Sequence, residues 1–518
     1  MDFTEIYQQS SNLVAFSPGT HFLLTAVNDR LIIRSSTDTF TITRTWLIDS
    51  NPSPTHPITA KSKTKPSDAY ITHIGWSCDS EYVFAACAKK GVVDVYKLRD
   101  EEWNARIDSG AEGLVKAEWA PDGRTILCFS EWGLRVTCWS LVTGTATYIQ
   151  YPLHPDKGYS FRADGRYFIL AERHRSKDTL GIYDAIDSYK LVRHFPLPTS
   201  SLSSFSLSPN GNYLAVWEGV LEYKLFIMTL AGTLLTTFTP KPEPNLGVRC
   251  VAWHPSGAFV AVGGYDDKIY ILDTLSWSPV ITFEYTSRIP AGVTIWQEPQ
   301  KWLEATEGGR GFLSYERIKS PQSISPHQVK SDPSKPNPKT GVVQMDWNQF
   351  GTLLLVRFEN VPSAIHIFSF PSSPSSFSDP ASSSGSDSTP ITQKAHLHTL
   401  ILNTSPILCA RWSPSTNSNK GTTSGEETGG GNKLIACTGS RAVYIWSDEW
   451  VSESESGSRE GGGISECVGV PAKKFSTREI KWAPDGKGMV LFDKEAFCCA
   501  FEVVDEVDVD VGEEEEMY

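Results

Sequence analysis

The feature that most constrains the fold is a short pattern that recurs nine times along the chain. In each copy, an aromatic or apolar residue ends a strand-like run, and small or polar residues follow, often Pro and then Asp, Asn or Ser with Gly. Copies two to six lie 42 to 46 residues apart, and the nine leading residues are Phe16, Trp76, Trp119, Phe161, Leu207, Trp253, Trp347, Trp412 and Trp482. A repeat of this length indicates stacked units rather than several independent layered cores.

Each copy carries the chemistry of a tight turn between two strands. Proline fixes the backbone φ angle, and glycine adopts the left-handed conformation that such turns require. Further β-rich runs follow the turn, such as residues 213–217 in copy five and 268–273 in copy six. Three strands and a less regular fourth within about 40 to 45 residues form the blade of a β-propeller. The sequence therefore predicts an all-β propeller with one closed ring of seven to nine blades.

The two ends of the chain are expected to meet in the last blade. Residues 3–8 are too short to form a blade, but they can supply an outer strand. We expect them to pair with the strand around residues 496–503, because ring closure removes an exposed sheet edge.

Copy six resembles a known type of repeat. The stretch from Trp253 to Asp273 is similar to a WD40 repeat, with Asp267 at the tight-turn aspartate and Leu272-Asp273 at the Trp-Asp dipeptide of that family. Other copies are degenerate at the dipeptide, and the Gly-His signature of the family is essentially missing. The resemblance implies a WD40-type propeller with degenerate blades.

Irregular spacings between copies locate insertions. Segments rich in Ser, Pro, Gly or Lys fall near residues 51–68, 289–340, 372–389, 415–432 and 452–463. These compositions bury too little apolar surface to fold alone, so we expect flexible loops on one rim. The expected organisation is a propeller over residues 1–504 and an acidic disordered tail over residues 505–518.

Charge and composition exclude several kinds of partner. The formal net charge is −13, and the tail carries eight acids and no base, which leaves −13 + 8 = −5 for the rest. A phosphate-tracking surface needs clustered Lys and Arg, so we expect no nucleic-acid partner. No apolar run approaches the roughly 18 residues of a membrane span, and the amino terminus does not resemble a signal peptide.

The ten cysteines form no CxxC pair and lie mostly in apolar runs, as in a reduced intracellular protein.

Motifs for catalysis are not found. Phosphate loops, HExxH, zinc-type Cys/His spacings and the GxSxG elbow are missing from the sequence, so we expect no enzyme activity, no cofactor and no metal. His396 and His398 would share one strand face, and we interpret them as an ordinary surface pair. Possible phosphorylation sites precede proline in the insertions, at Ser320, Ser325, Ser373 and Thr389.

A propeller without catalytic groups offers rigid faces for binding other proteins. A protein-interaction scaffold is therefore the first hypothesis. The alternatives are a propeller of the translation-initiation type, which should show a basic face for ribosomal RNA, and a general WD40 adaptor.

Three blocks narrow the resemblance further. The opening Phe3-Thr4-Glu5-Ile6-Tyr7, the block at residues 217–225 and Gly263-Gly264-Tyr265-Asp266 resemble the spindle-pole and centrosomal WD-repeat family. That resemblance implies a cytoplasmic scaffold at the spindle pole body or centrosome. It also implies a coiled-coil anchoring partner, found at spindle poles or centriolar satellites, and a minus-end-directed kinesin. Together they would tether microtubule minus ends and support spindle organisation, so the contact with microtubules would be indirect.

Four residues are the predicted partner contacts. Trp132 and Arg135 stand beside Gly133, and Trp217 and Tyr223 flank Gly219, in segments that we interpret as turns on the faces of the ring. Trp, Tyr and Arg tend to dominate protein interfaces. The competing interpretation is that the two tryptophans pack between blades.

Overall fold

The computed structural model describes residues 1–36, 40–48, 70–244, 246–300, 302, 311–318, 320–323, 340–371, 395–414, 432–448 and 463–502. Each of the first six blades in this part of the chain is a four-stranded antiparallel sheet whose strands follow one another in sequence.

Two short strands precede the first blade, β1 (Asp2–Phe3) and β2 (Tyr7–Gln8). Blade one consists of β3 (Val14–Phe16), β4 (Phe22–Val27), β5 (Arg30–Ser35) and β6 (Ile42–Leu47). Blade two consists of β7 (His73–Trp76), β8 (Tyr82–Cys87), β9 (Val92–Lys97) and β10 (Asn104–Asp108). Blade three consists of β11 (Lys116–Trp119), β12 (Thr125–Phe129), β13 (Arg135–Ser140) and β14 (Ala146–Gln150). Single 3₁₀ turns occur at Ala88–Lys90, Gly110–Glu112 and Glu131–Gly133.

Blade four consists of β15 (Tyr159–Phe161), β16 (Tyr167–His174), β17 (Lys177–Asp184) and β18 (Lys190–Pro196). Blade five consists of β19 (Leu202–Leu207), β20 (Tyr213–Glu218), β21 (Leu225–Thr229) and β22 (Leu234–Phe238). Blade six consists of β23 (Val248–Trp253), β24 (Phe259–Gly264), β25 (Lys268–Asp273) and β26 (Pro279–Glu284).

The chain between blades six and seven forms five short strands, β27 (Arg288–Ile289), β28 (Thr294–Gln297), β29 (Phe312–Ser314), β30 (Glu316–Ile318) and β31 (Gln322–Ser323). Blade seven consists of β32 (Val342–Trp347), β33 (Leu353–Phe358), β34 (Ala364–Ser369) and β35 (His396–Leu402). Blade eight consists of β36 (Cys409–Trp412), β37 (Lys433–Cys437), β38 (Ala442–Ser447) and β39 (Ile464–Gly469). Blade nine consists of β40 (Glu479–Trp482), β41 (Gly488–Phe492) and β42 (Ala496–Phe501), together with β1 and β2.

The nine blades close into one ring. Within the described residues, nine clusters of buried apolar side chains each combine residues from two consecutive blades. The ninth cluster joins blade nine to blade one and includes Leu23 and Phe497. The sequence prediction of a single closed propeller is therefore confirmed, and the ring has nine blades.

The predicted closure by the amino terminus is also confirmed. Strands β1 and β2 both pair antiparallel with β42, with Phe3 opposite Ala500 and Tyr7 opposite Phe497. The Tyr7 ring packs on Phe497 with 5.5 Å between ring centroids. The first residues of the chain thus supply the outer edge of the last blade.

The prediction of a flexible insertion near 289–340 is wrong for the described part of that segment. Strand β28 pairs in parallel with β35, and β30 pairs with β28, so blade seven has six strands. Strand β29 pairs with β39 and extends blade eight. Strands β28, β29 and β30 have three or four residues each and add to the edges of existing blades, so they carry no repeat pattern of their own.

The blades give the ring two faces. Among the described turns, the first and third turns of a blade lie on one face, here called the anchor face, and the second turn and the link to the next blade lie on the opposite face. The expectation that the insertions share one rim stays a prediction. The insertions 51–68, 372–389, 415–431 and 452–462, and the tail 505–518, lie outside the described residues.

Candidate interaction surface

Trp132 is a strongly exposed aromatic residue of blade three, on the face of the ring opposite the anchor face. It lies in the turn between β12 and β13, and its side chain is 89% exposed. Its backbone has φ of 60°, which is the left-handed region that bulky residues rarely adopt. The turn therefore exposes a large indole to solvent, although the left-handed backbone conformation of Trp132 is energetically unfavourable.

Further exposed apolar side chains surround this turn. Leu134 is 48% exposed, Tyr148 is 51% exposed and Tyr151 is 50% exposed. Tyr151 lies next to Leu134, since its backbone N–H donates a 3.0 Å hydrogen bond to the Leu134 carbonyl. We call Trp132, Leu134, Arg135, Tyr148 and Tyr151 the blade-three patch.

Arg135 supplies the positive charge of the blade-three patch. Its guanidinium lies 4.2 Å from the centre of the Tyr148 ring and forms an ion pair with Glu112. The structure thus brings two of the four predicted contact residues, Trp132 and Arg135, together on one surface. A cation held over an aromatic ring beside an exposed indole has the composition of an interface hot spot.

The prediction that Trp217 and Tyr223 contact a partner is wrong. Trp217 is 7% exposed and Tyr223 is 0% exposed, and both belong to the apolar cluster between blades five and six. Gly219, two residues after Trp217, suggested a surface turn. The turn is exposed, with Leu221 84% exposed, but the Trp217 and Tyr223 side chains on either side of it are buried. Tyr223 occupies the space that a side chain at Gly264 would need, because a Cβ there would lie 2.4 Å from Tyr223 Cε2.

The other predicted positions have separate outcomes. Ser320 is half-buried, and Ser325, Ser373 and Thr389 lie outside the described residues. His398 is half-buried, and its Nδ1 lies 2.8 Å from Thr399 Oγ1.

In the part of the chain that the structure describes, no helix is long and apolar enough to cross a bilayer.

One cluster was missed from the sequence. Glu172, His174 and His194 bring their ligand atoms within 4.8 Å of one another in blade four. Glu172 and His174 form a Glu-x-His pair on β16, so they share a strand face, and this spacing is a signal that the sequence does contain. His194 joins them from β18, which only the sheet register could reveal.

A closed ring of mainly four-stranded antiparallel blades, with a polar turn after each inner strand, defines a WD-type β-propeller. The family model for the WD domain, G-beta repeat, matches residues 232–273, which run from the end of blade five through the first three strands of blade six. The WD repeat-containing protein WRAP73 of Mus musculus is 30% identical over 518 residues, which cover 97% of this chain and 96% of that protein. The chain therefore belongs to the WD-repeat protein family.

A second relative is more distant in sequence. An uncharacterized WD repeat-containing protein of Schizosaccharomyces pombe is 20% identical over 436 residues, which cover 80% of this chain and 77% of that protein. The propeller fold of these families is typical of non-enzymatic scaffolds.

Proposed function

We propose that this protein is a non-enzymatic scaffold at the spindle pole body or centrosome, and that its blade-three patch holds a coiled-coil anchoring protein. The observation that carries the scaffold role is the exposed Trp132, 89% accessible and mounted on a rigid closed ring. The spindle-pole assignment rests on the sequence blocks at residues 3–7, 217–225 and 263–266, which resemble the spindle-pole WD-repeat family.

Charge determines how the scaffold would act on microtubules. Microtubule surfaces are strongly acidic, and this chain has a formal net charge of −13, so direct electrostatic capture is disfavoured. In the proposed complex, the propeller holds the coiled-coil protein, and a minus-end-directed kinesin contacts the microtubule and tethers its minus end. Co-sedimentation of the purified chain alone with microtubules at physiological salt would contradict this division of roles.

The partner contact is tested with matched surface variants. Trp132→Ala and Arg135→Glu should each weaken capture of the coiled-coil partner at least tenfold, because both remove groups of the blade-three patch. Leu275→Ala is the control, since Leu275 is 92% exposed on the anchor face of blade six. Equal capture by all three variants, with thermal unfolding unchanged, would remove the blade-three patch from the proposal.

Location in the cell is a separate test. A fluorescently tagged copy should concentrate at spindle poles in dividing cells. A diffuse signal throughout mitosis would contradict the spindle-pole assignment and favour a general WD40 adaptor.

A further inference from the structure

Blade four contains one carboxylate and two imidazoles that the scaffold role does not use. Glu172 lies on β16 and is 2% exposed, His174 lies two residues later on the same strand, and His194 lies on β18. The three side chains meet over β17, the strand between them.

Their distances suit a single metal ion. Glu172 Oε2 lies 3.2 Å from His194 Nε2 and 3.7 Å from His174 Nε2. A tetrahedral zinc ion with bonds of about 2.0–2.1 Å places its ligand atoms roughly 3.4 Å apart. The three ligand atoms lie within 4.8 Å of one another, and the His174 side chain is 44% exposed, so it has the freedom to close the remaining gap.

Tyr183 and Gly181 fix the orientation of the Glu172 carboxylate. The Tyr183 hydroxyl donates a hydrogen bond to Glu172 Oε1, which leaves Oε2 turned toward the imidazoles. Gly181 makes room for this arrangement, because a Cβ there would lie 2.2 Å from Glu172 Oε1. Such outer partners are characteristic of metal sites, where they fix the orientation of the ligands.

The charge of Glu172 calls for a positive partner. A buried carboxylate is unfavourable unless a cation or hydrogen bonds compensate for the lost water. Arg173, the next residue, pairs instead with Asp178 through bonds of 3.0 and 2.7 Å.

We propose that Glu172, His174 and His194 bind a divalent transition-metal ion, with zinc favoured by the nitrogen and carboxylate ligands. Three protein ligands leave a further position for water. The ion links β16 to β18 across β17 and stiffens blade four next to the blade-three patch, since the His174 ring packs edge-on against Tyr151 with 5.1 Å between centroids.

The test uses the full chain, stripped of metal with a chelator and titrated with Co²⁺ and Zn²⁺. Co²⁺ should give visible absorption bands of a low-coordinate site at one ion per chain, and Zn²⁺ should displace it. His174→Gln and His194→Gln should each weaken Zn²⁺ binding at least about a hundredfold. Tyr183→Phe, which removes only an outer partner, should weaken it about 10- to 100-fold with unchanged stoichiometry.

The controls separate a metal site from a buried hydrogen-bond network. The double variant His396→Gln and His398→Gln removes two histidines of one strand and should leave Zn²⁺ binding unchanged. His174 and His194 have side chains that are 44% and 34% exposed, so their variants should fold, as thermal unfolding will verify. The proposal is overturned if the chain binds no Co²⁺, or if both histidine variants bind Zn²⁺ as tightly as the natural chain. Neither outcome bears on the scaffold role, since no partner protein is involved.

Discussion

The indole nitrogen of Trp347, at the end of the inner strand of blade seven, donates a 3.2 Å hydrogen bond to the backbone carbonyl of Ala252 in blade six. Ala252 immediately precedes Trp253, which is the equivalent tryptophan of its own blade. The bond therefore joins the leading residue of one inner strand to the residue just before the leading residue of the previous inner strand.

The same bond recurs at each blade whose repeat begins with tryptophan. In every case, the indole donates to the residue just before the leading residue of the previous blade. The distances are 2.9 to 3.4 Å, for Trp76 to Ala15, Trp119 to Gly75, Trp253 to Ser206, Trp347 to Ala252, Trp412 to Asp346 and Trp482 to Arg411. The tryptophans of the repeat thus set the spacing between blades as well as filling the space between them.

The first prediction tests this interblade bond. Trp347→Phe keeps an aromatic ring against His254 but removes the donor to Ala252, so it should lower the free energy of unfolding by about 1–2 kcal/mol. Chemical denaturation measures this loss. Trp132→Phe, at an exposed indole, should change stability by less than about 0.5 kcal/mol. Equal stability of the two variants would show that the bond contributes nothing.

The repeat made the blades predictable because each copy combines a turn signal with an apolar strand on either side. The glycines of the turns at 123, 165, 211, 257, 351 and 486 all have positive φ, as the turn chemistry requires. The edge strands β28 to β30 were not predictable in this way, since three or four residues carry too little pattern and their partners are distant in sequence.

The surface was only half predictable, and the reason is the direction in which side chains point. Trp132 and Tyr223 both lie in turns next to exposed segments, yet one indole faces solvent and the other ring is buried. The difference arises from Gly264 and Phe238 of neighbouring strands, which form a slot for the Tyr223 ring. No local pattern around Tyr223 encodes that slot.

The buried position of Tyr223 gives the second prediction. Tyr223→Ala should lower the free energy of unfolding by about 3–5 kcal/mol, because it leaves a cavity between blades five and six. Trp132→Ala removes a larger but exposed side chain and should cost less than about 0.5 kcal/mol. Thermal unfolding of the two variants distinguishes them. A mild effect of Tyr223→Ala would contradict the packing between these blades.

A third prediction concerns the turns of blades one and two, where glycine is replaced. Thr20 has φ of 61° at the position that glycine occupies in blades three to seven and in blade nine. A non-glycine residue in the left-handed region costs about 1–2 kcal/mol, and glycine relieves this strain. Part of that stabilisation is lost again because glycine has more conformational freedom in the unfolded chain. Thr20→Gly should therefore stabilise the protein by about 0.5–1 kcal/mol.

The matched variant reverses the change at an equivalent turn. Gly123 has φ of 64°, and a Cβ there would lie 2.8 Å from Cys78 Sγ. Gly123→Ala should therefore destabilise the protein by more than about 1 kcal/mol. Calorimetry that finds both substitutions neutral would mean that these turns do not demand glycine.

Ring closure gives the fourth prediction. Deleting residues 1–9 removes the strands paired with β42 and uncovers its edge, including the hydrogen bond from Thr4 N–H to the Cys499 carbonyl. We expect a loss of about 3 kcal/mol, since Phe3 and Tyr7 also leave apolar contacts. Removing residues 372–389, which lie outside the described strands, should change thermal unfolding little. Identical unfolding of both deletions would contradict closure by the amino terminus.

The last prediction concerns acid stability and His366. This imidazole is 3% exposed and packs among Tyr285, Phe358 and Phe368. Burial lowers its pKa from 6.5 to about 4. Between these values the unfolded chain binds a proton that the folded chain does not, so folding stability falls as the pH drops from about 6.5 toward 4. At pH 4.5 this residue alone should lower the free energy of unfolding by about 2–3 kcal/mol relative to pH 7.5.

The variant His366→Phe tests this, because phenylalanine suits the aromatic surroundings and does not titrate. Its loss of folding stability between the two pH values should be smaller by that amount, as denaturant titrations at both pH values will measure. An acid dependence that is the same in His366→Phe as in the natural chain would show that His366 does not titrate differently in the folded and unfolded states.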